Sequence, residues 1–142
     1  MAPPKFLVCA LFYGDFPALA RRCALSLAAL RDTGQIDLRI GLNEVSPKAR
    51  ALIAAALPGV DCIAADPQIY KYPMMRRLVH GYTGDATHLM WFDDDSCLTP
   101  GVDVARWLGA GGGAAQATQG MLGAAYLRVQ SAPEREWVRS QP

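Results

Sequence analysis

Three carboxylates, Asp93, Asp94 and Asp95, stand side by side directly after the apolar run His88 to Phe92 (HLMWF). At the end of an apolar strand, adjacent carboxylates repel one another and are costly to ionise together unless a cation or several hydrogen-bond donors offset them. A divalent ion is the simplest such cation. Along an extended chain Asp93 and Asp95 point to one side and Asp94 to the other, so a D-x-D pair can address one metal. Hard oxygen ligands favour Mg²⁺ or Mn²⁺, and a single pair leaves coordination positions free for the oxygens of a diphosphate. Aspartate is equally at home in turns and helix caps, so the position of the run in the fold has to separate the two readings.

Other polar residues carry weaker signals. Arg76 and His80 lie four apart on one predicted helix, where Arg76 suits either a ligand contact or a solvated face. His80 and His88 have no metal-ligand spacing and read as structural. The cysteines Cys9, Cys23, Cys62 and Cys97 sit in apolar surroundings without a CxxC pair, as small core residues of a reducing compartment would. No base can be assigned to Cys97, so it reads as packing and not as a nucleophile.

The elements that must deliver the aspartates alternate along the chain. Lys5 to Leu11 (KFLVCAL) is the nearly continuous apolar run of a strand buried on both faces. Asp15 as cap and Pro17 in the first turn open a helix with Leu19, Cys23, Leu27 and Leu30 on one face, stopped by Gly34. Ile36 to Leu42 is a second strand, followed by a helix begun by Ser46 and Pro47, with Ala49, Leu52, Ile53, Ala56 and Leu57 inward. Val60 to Ala65 is a third strand. A third helix, Tyr72 to Tyr82, carries Met75, Leu78, Val79 and Tyr82 on one face. Thr83-Gly84-Asp85 is a turn before the aspartate-bearing fourth strand.

Thr99 and Pro100 predict another helix, ending at the glycine run Gly109 to Gly113. That run lacks GxxxxGK[ST] and reads as a flexible connection. Gly120 to Val129 fits a fifth strand.

Strands alternating with helices force right-handed crossovers and a parallel sheet covered on both faces, a Rossmann-like three-layer αβα architecture. Ligands of such sheets collect beyond the carboxyl ends of the strands, where strand order reverses. If the fourth strand pairs with the first, Phe12, Tyr13 and the aspartates face one crevice; packing at a strand end is the plainer role for the two aromatics. There is no GxGxxG after the first strand, which argues against a dinucleotide-cofactor domain.

Composition bounds the rest. With 142 residues, 51% hydrophobic and 19% charged, the chain suits one globular domain with a real core. Fourteen Lys and Arg against thirteen Asp and Glu leave a net charge of +1, too little to grip nucleic acid or an anionic membrane through a general field. No apolar run approaches the roughly eighteen residues of a membrane span, and the expected location is cytoplasmic.

In the order of these motifs the sequence resembles the GT-A glycosyltransferases, most closely the family 2 type, over roughly Lys5 to Leu108. Phe12-Tyr13-Gly14-Asp15 stands where those enzymes follow the first strand with a nucleotide-contacting segment. Asn43-Glu44-Val45-Ser46 partly matches their acidic turn after the second strand. Asp66-Pro67 stands where they often carry Asn-Pro, Arg76 where the next helix carries a basic residue, and Thr83-Gly84-Asp85 resembles the turn before their D-x-D strand. Asn43 in place of an aspartate, and Lys71 with Pro73 in place of small residues, depart from the pattern and leave base preference and loop shape open.

The resemblance implies a metal-dependent glycosyltransferase of the hexosyltransferase type, binding a nucleoside-diphosphate sugar, foremost a UDP-sugar, with a hydroxyl acceptor. Residues 1–130 would form the nucleotide-sugar-binding domain, and 131–142 the start of an acceptor-side region or a tail. Phe12 and Tyr13 would flank the base, Asn43 would touch base or ribose, and Lys71 and Arg76 would approach the nucleotide. Asp93 and Asp94 would contact the ribose or metal region, with Asp93 and Asp95 as metal ligands and Asp95 the leading one. The family's general base commonly follows the D-x-D strand on an acidic motif; here only Glu134 and Glu136 follow Asp103, and neither belongs to a recognisable Glu-Asp pair. Hence two expectations stand: a glycosyltransferase that continues beyond these residues, or a small relative that binds nucleotide without efficient transfer.

Overall fold

The computed structural model describes residues 5–34 and 36–97. They form a small α/β domain with four parallel strands and three helices. Strand β1 (Phe6–Tyr13) runs into helix α1 (Pro17–Arg31), then β2 (Ile36–Asn43), α2 (Pro47–Ala56), β3 (Asp61–Ala65), α3 (Lys71–His80) and β4 (His88–Asp93). The sheet order is β3-β2-β1-β4, so β4 pairs with β1, the condition that brings the aspartates beside Tyr13, with Leu11 opposite Asp93 and Tyr13 opposite Asn43. The predicted helix at Thr99-Pro100, the glycine run, the fifth strand, Glu134 and Glu136 lie outside the described residues.

Successive side chains on a strand alternate between faces, and that alternation divides the core in two. Phe6, Val8, Ala10 and Phe12 of β1, with Ile36, Leu38 and Ile40 of β2, pack against Ala20, Cys23, Leu27 and Leu30 of α1 and Ala49 and Ile53 of α2. Leu7, Cys9 and Leu11 point the other way, onto Met74 and Leu78 of α3. Helices therefore cover both faces of the sheet.

Local chemistry sets the helix ends, and the fold departs here from expectation in one helix cap, one helix face and two cysteines. Ser46 caps α2, its Oγ accepting from the Ala49 N–H at 3.2 Å, and Pro47 fills the first turn. Asp15 does not cap α1: the chain enters through Phe16 without a side-chain cap, and Pro17 sets the first turn. The inward residues of α3 are Met74 and Leu78, while Val79 is exposed and Tyr82 lies beyond the helix. The cause is Gly41 of β2, where an added Cβ would meet the Met74 Cγ at 2.9 Å and the Leu78 Cδ1 at 3.2 Å. The helix seats this pair, one turn apart, over the gap left by glycine. The third departure is in the cysteines: Cys9 and Cys23 are buried, but Cys62 and Cys97 are exposed.

Buried Arg39 ties the α3 face together, donating to the Asp61 carboxylate at 2.7 Å and to the main-chain carbonyl of Leu78. That carbonyl belongs to the last turn of α3, where a cation offsets the exposed acceptors of the helix end. At the amino end of the sheet Lys5 bridges Asp37 at 3.1 Å and Asp85 at 2.6 Å, and the Tyr82 hydroxyl donates to Asp37 and accepts from the Ala86 N–H. These bonds hold the Thr83-Gly84-Asp85 segment against the starts of β1 and β2, which fixes where β4 begins.

Candidate functional site

A cleft of about 360 Å³ opens at the carboxyl end of the sheet, lined by Leu11, Tyr13, Asn43, Tyr70, Lys71 and Asp93–Asp95, with Gln68 and Ile69. Its strand residues all belong to the face turned towards α3. Alternation decides the fate of the adjacent aromatics: Tyr13 turns into the cleft and is half exposed, whereas Phe12 turns away and is 1% exposed in the core beneath α1 and α2. Phe12 therefore does not flank a cleft ligand. Neighbours on one strand cannot both face the same crevice.

The aspartates are not three equivalent carboxylates. Strand pairing ends at Asp93 and the chain turns, with the Ser96 N–H donating to the Asp93 carbonyl at 2.9 Å. The alternation expected of an extended D-x-D therefore stops at its first residue. Asp93 is tightly engaged: the Lys71 ammonium lies 2.9 and 3.0 Å from its two oxygens, and the Trp91 indole N–H donates to it at 2.9 Å. Lys71 also stands 5.7 Å from the Trp91 ring centroid. Both partners of this ion pair are nearly half exposed, and such pairs contribute at most about 1 kcal/mol.

Asp94 is buried, 5% exposed. Burial raises its pKa, the Tyr13 main-chain N–H opposes the rise, and the charges of Asp95 and Asp93 add to it. Asp95 is exposed, and its main-chain carbonyl accepts from Arg22 of α1 at 3.2 Å. Beneath the turn, the Cys23 thiol lies 3.7 Å from the Asp93 carbonyl, and burial pushes its pKa up to about 12. That cysteine is a packing residue.

Asn43 is in the cleft wall but its amide is already committed. It donates to the Ile69 carbonyl at 2.6 Å and accepts from the Ile69 N–H at 2.8 Å, an extra rung that holds the segment between β3 and α3. This makes it a positioning residue for Tyr70 and Lys71 and not a free base contact. Arg76 is exposed on α3 and is not among the residues lining the cleft.

Two further residues at the cleft, Tyr70 in its lining and Trp91 against Asp93, carry no motif that marks them in the sequence. Trp91 shares a strand face with Asp93, two positions on, and that spacing was a usable signal. Tyr70 and Tyr72 flank Lys71 and are 86% and 78% exposed, two large aromatics left in solvent beside a cleft.

Two hard carboxylate oxygen donors, Asp93 and Asp95, suit Mg²⁺ or Mn²⁺, with Asp93 occupied by Lys71 as described. Among the described residues no group of three or more His, Cys, Asp or Glu side chains is gathered for a metal, so further ligands would have to come from the bound molecule or water.

A second cleft of about 380 Å³ opens at the amino end of the sheet, lined by Arg31, Asp37, Arg39, Asp61 and Tyr82 among others. Its charges are paired with one another or with main-chain groups, Arg39 with Asp61 and Leu78, Asp37 with Lys5 and Tyr82. The carboxyl-end cleft lies beside β1, where strand order reverses, and is the functional candidate.

No protein-family profile, curated protein or solved structure matches the chain. Among the described residues no helix is long and apolar enough to cross a membrane.

Proposed function

We propose that this domain binds the nucleoside-diphosphate part of a nucleotide sugar, foremost a UDP-sugar, as the donor half of a GT-A-like glycosyltransferase with a Rossmann-like three-layer core. The observation that carries the reading is the convergence of Tyr13, Lys71 and the three aspartates on one cleft beyond β1 and β4. Tyr13 and Tyr70 offer aromatic faces for the base, and such stacking contributes about 1–3 kcal/mol per base. Lys71 offers the ammonium for a phosphate oxygen. Asp94 is buried beside the Tyr13 main chain, in the turn that carries Asp95.

Mg²⁺ or Mn²⁺, held by Asp95 and Asp93 together with diphosphate oxygens, would supply neutralisation of the leaving diphosphate in glycosyl transfer. Deprotonation of the acceptor hydroxyl needs a base on the other side of the sugar. The acidic residues considered for it, Glu134 and Glu136, lie outside the described residues. A second reading, nucleotide binding without transfer, is favoured by the Lys71–Asp93 pair, which leaves Asp95 as the less encumbered carboxylate.

Calorimetry and thermal shift of the full chain with UDP, GDP and CDP, each with and without Mn²⁺, test the binding claim. Tyr13→Ala is expected to weaken the preferred nucleotide by fivefold or more, in line with the loss of one stacked base. If none of the nucleotides stabilises the chain, the reading is wrong. Release of UDP from UDP-sugars separates transfer from binding alone.

A further inference from the structure

We propose that the side-chain amide of Gln68 reads the hydrogen-bonding edge of the nucleotide base, bonding N3–H and O4 of uracil. The inference rests on the donor-site reading above and goes beyond it by assigning the contact that recognises the base. Gln68 lines the cleft and is exposed. Two side-chain amides line that cleft, Asn43 and Gln68, and they are in opposite states. Asn43 commits both ends of its amide to the Ile69 main chain, at 2.6 and 2.8 Å. Among the described residues no hydrogen bond engages the amide of Gln68. Lys71 and Asp93 hold one another, so Gln68 is the lining side chain that still offers a neutral donor and acceptor side by side.

The backbone decides where that amide points. The N–H and C=O of one residue lie on the same side when its backbone is extended, as in a strand, so the two bonds from Asn43 hold Ile69 in that form. Tyr70 continues it, with φ −62° and ψ 155°. Side chains alternate along such a segment. Ile69 packs on the core of Leu7, Leu11, Met74 and Leu78, so Gln68 and Tyr70 turn the other way, and both line the cleft. Residues two apart on an extended chain are about 7 Å from one another, close to the width of a base and the reach of a glutamine. A base stacked on the 86% exposed Tyr70 ring therefore brings its edge beside Gln68. Uracil carries a donor, N3–H, next to an acceptor, O4, and a carboxamide presents the matching acceptor and donor in one plane. Asn43 thus fixes the main chain from which Gln68 and Tyr70 reach edge and face of the same ring.

The test pairs a change in the protein with a change in the ligand. Calorimetry on the full chain, in one buffer throughout, measures UDP and N3-methyl-UDP against wild type and Gln68→Ala. The methyl group removes the N3–H donor and blocks that edge. Methylation is expected to weaken binding to wild type by about tenfold, the loss of two neutral hydrogen bonds. It should weaken binding to Gln68→Ala by less than about twofold, because the contact is already gone. Gln68→Ala itself should weaken UDP by about tenfold and leave the urea midpoint unchanged, the side chain being exposed. A methylation penalty of the same size in both proteins overturns the inference, since Gln68 would then touch ribose, phosphate or nothing, while the donor-site reading survives. The same holds if wild type binds UDP and its methyl derivative alike, or binds GDP or CDP but not UDP. If wild type binds no nucleotide, the donor-site reading fails, and this inference with it.

Discussion

Asn43→Asp puts the dual role of the cleft wall to a quantitative test. Asn43 is 5% exposed and both ends of its amide bond the main chain of Ile69, at 2.6 and 2.8 Å. A carboxylate can still accept from the Ile69 N–H but cannot donate to the Ile69 carbonyl, and it sets a negative charge against that oxygen. Leaving one buried acceptor unpaired costs about 1–3 kcal/mol. A loss of about 2 kcal/mol, with a urea slope of about 2 kcal/mol/M for a small domain, lowers the unfolding midpoint by about 1 M. The sign of the pH dependence follows from the same geometry. The protonated acid can donate to the Ile69 carbonyl, so folding raises the pKa of the introduced group above the ordinary value of about 3.9. A raised carboxyl pKa contributes stability below the unfolded value and loses it as pH rises through the folded one. The deficit relative to wild type is therefore full at neutral pH and shrinks towards about pH 4. Urea titrations of both proteins at several pH values measure it. A variant as stable as wild type at pH 7, or a deficit that acid leaves unchanged, would refute the assignment of Asn43 to the Ile69 main chain.

Three further outcomes follow from other parts of the fold. Gly41→Ala sets a methyl 2.9 Å from the Met74 Cγ and 3.1 Å from the Leu11 Cδ1, and overpacking of this kind should destabilise the chain by about 1–3 kcal/mol in urea titration. Asp94→Asn should stabilise at pH 7, because burial raises the pKa of Asp94 and its ionised form weakens the fold as pH rises through that value. The gain should fade below roughly pH 4, where an ordinary aspartate is protonated in both states, and a gain independent of pH would count against it. Thiol labelling should find Cys62 and Cys97 reactive in the native protein, with Cys9 and Cys23 protected until unfolding. Burial raises the pKa of Cys9 to about 11 and that of Cys23 to about 12, so their thiolate is suppressed as well as screened.

The order of strands and helices was legible because each apolar run is bounded by a strong local signal. Pro17, Ser46-Pro47 and Gly34 mark helix ends in the sequence and do so in the fold. The pairing of β4 with β1 entered the sequence reading only as a condition, because parallel crossovers fix handedness and not which neighbour a strand joins. Which face each residue serves was less legible. Met74, and not Met75, faces inward because of a glycine on a different element, and such a contact has no local trace. The sequence places the acidic run at the mouth of the sheet, where the fold has it, yet its internal division was not legible: the turn after Asp93, the burial of Asp94 and the capture of Asp93 by a lysine 22 positions earlier are all tertiary facts. Phe12 was separable from Tyr13 by period-two alternation alone, had β1 been carried two residues further to its actual end.

The parity of positions in β1 has a consequence for how this chain can change. Substitutions at Val8, Ala10 or Phe12 touch the larger core and leave the cleft lining intact, whereas Leu11 and Tyr13 can vary the cleft without touching the packing under α1 and α2. The larger core and the cleft lining are thus written on alternate residues of one strand, with Leu11 serving also the smaller core beneath α3 and Tyr13 left as the position free to vary. An inserted or deleted residue early in β1 would exchange the two sets at a stroke, turning phenylalanine towards the cleft and tyrosine into the core. Point changes in this strand are a route to new specificity; length changes are a route to collapse of the fold.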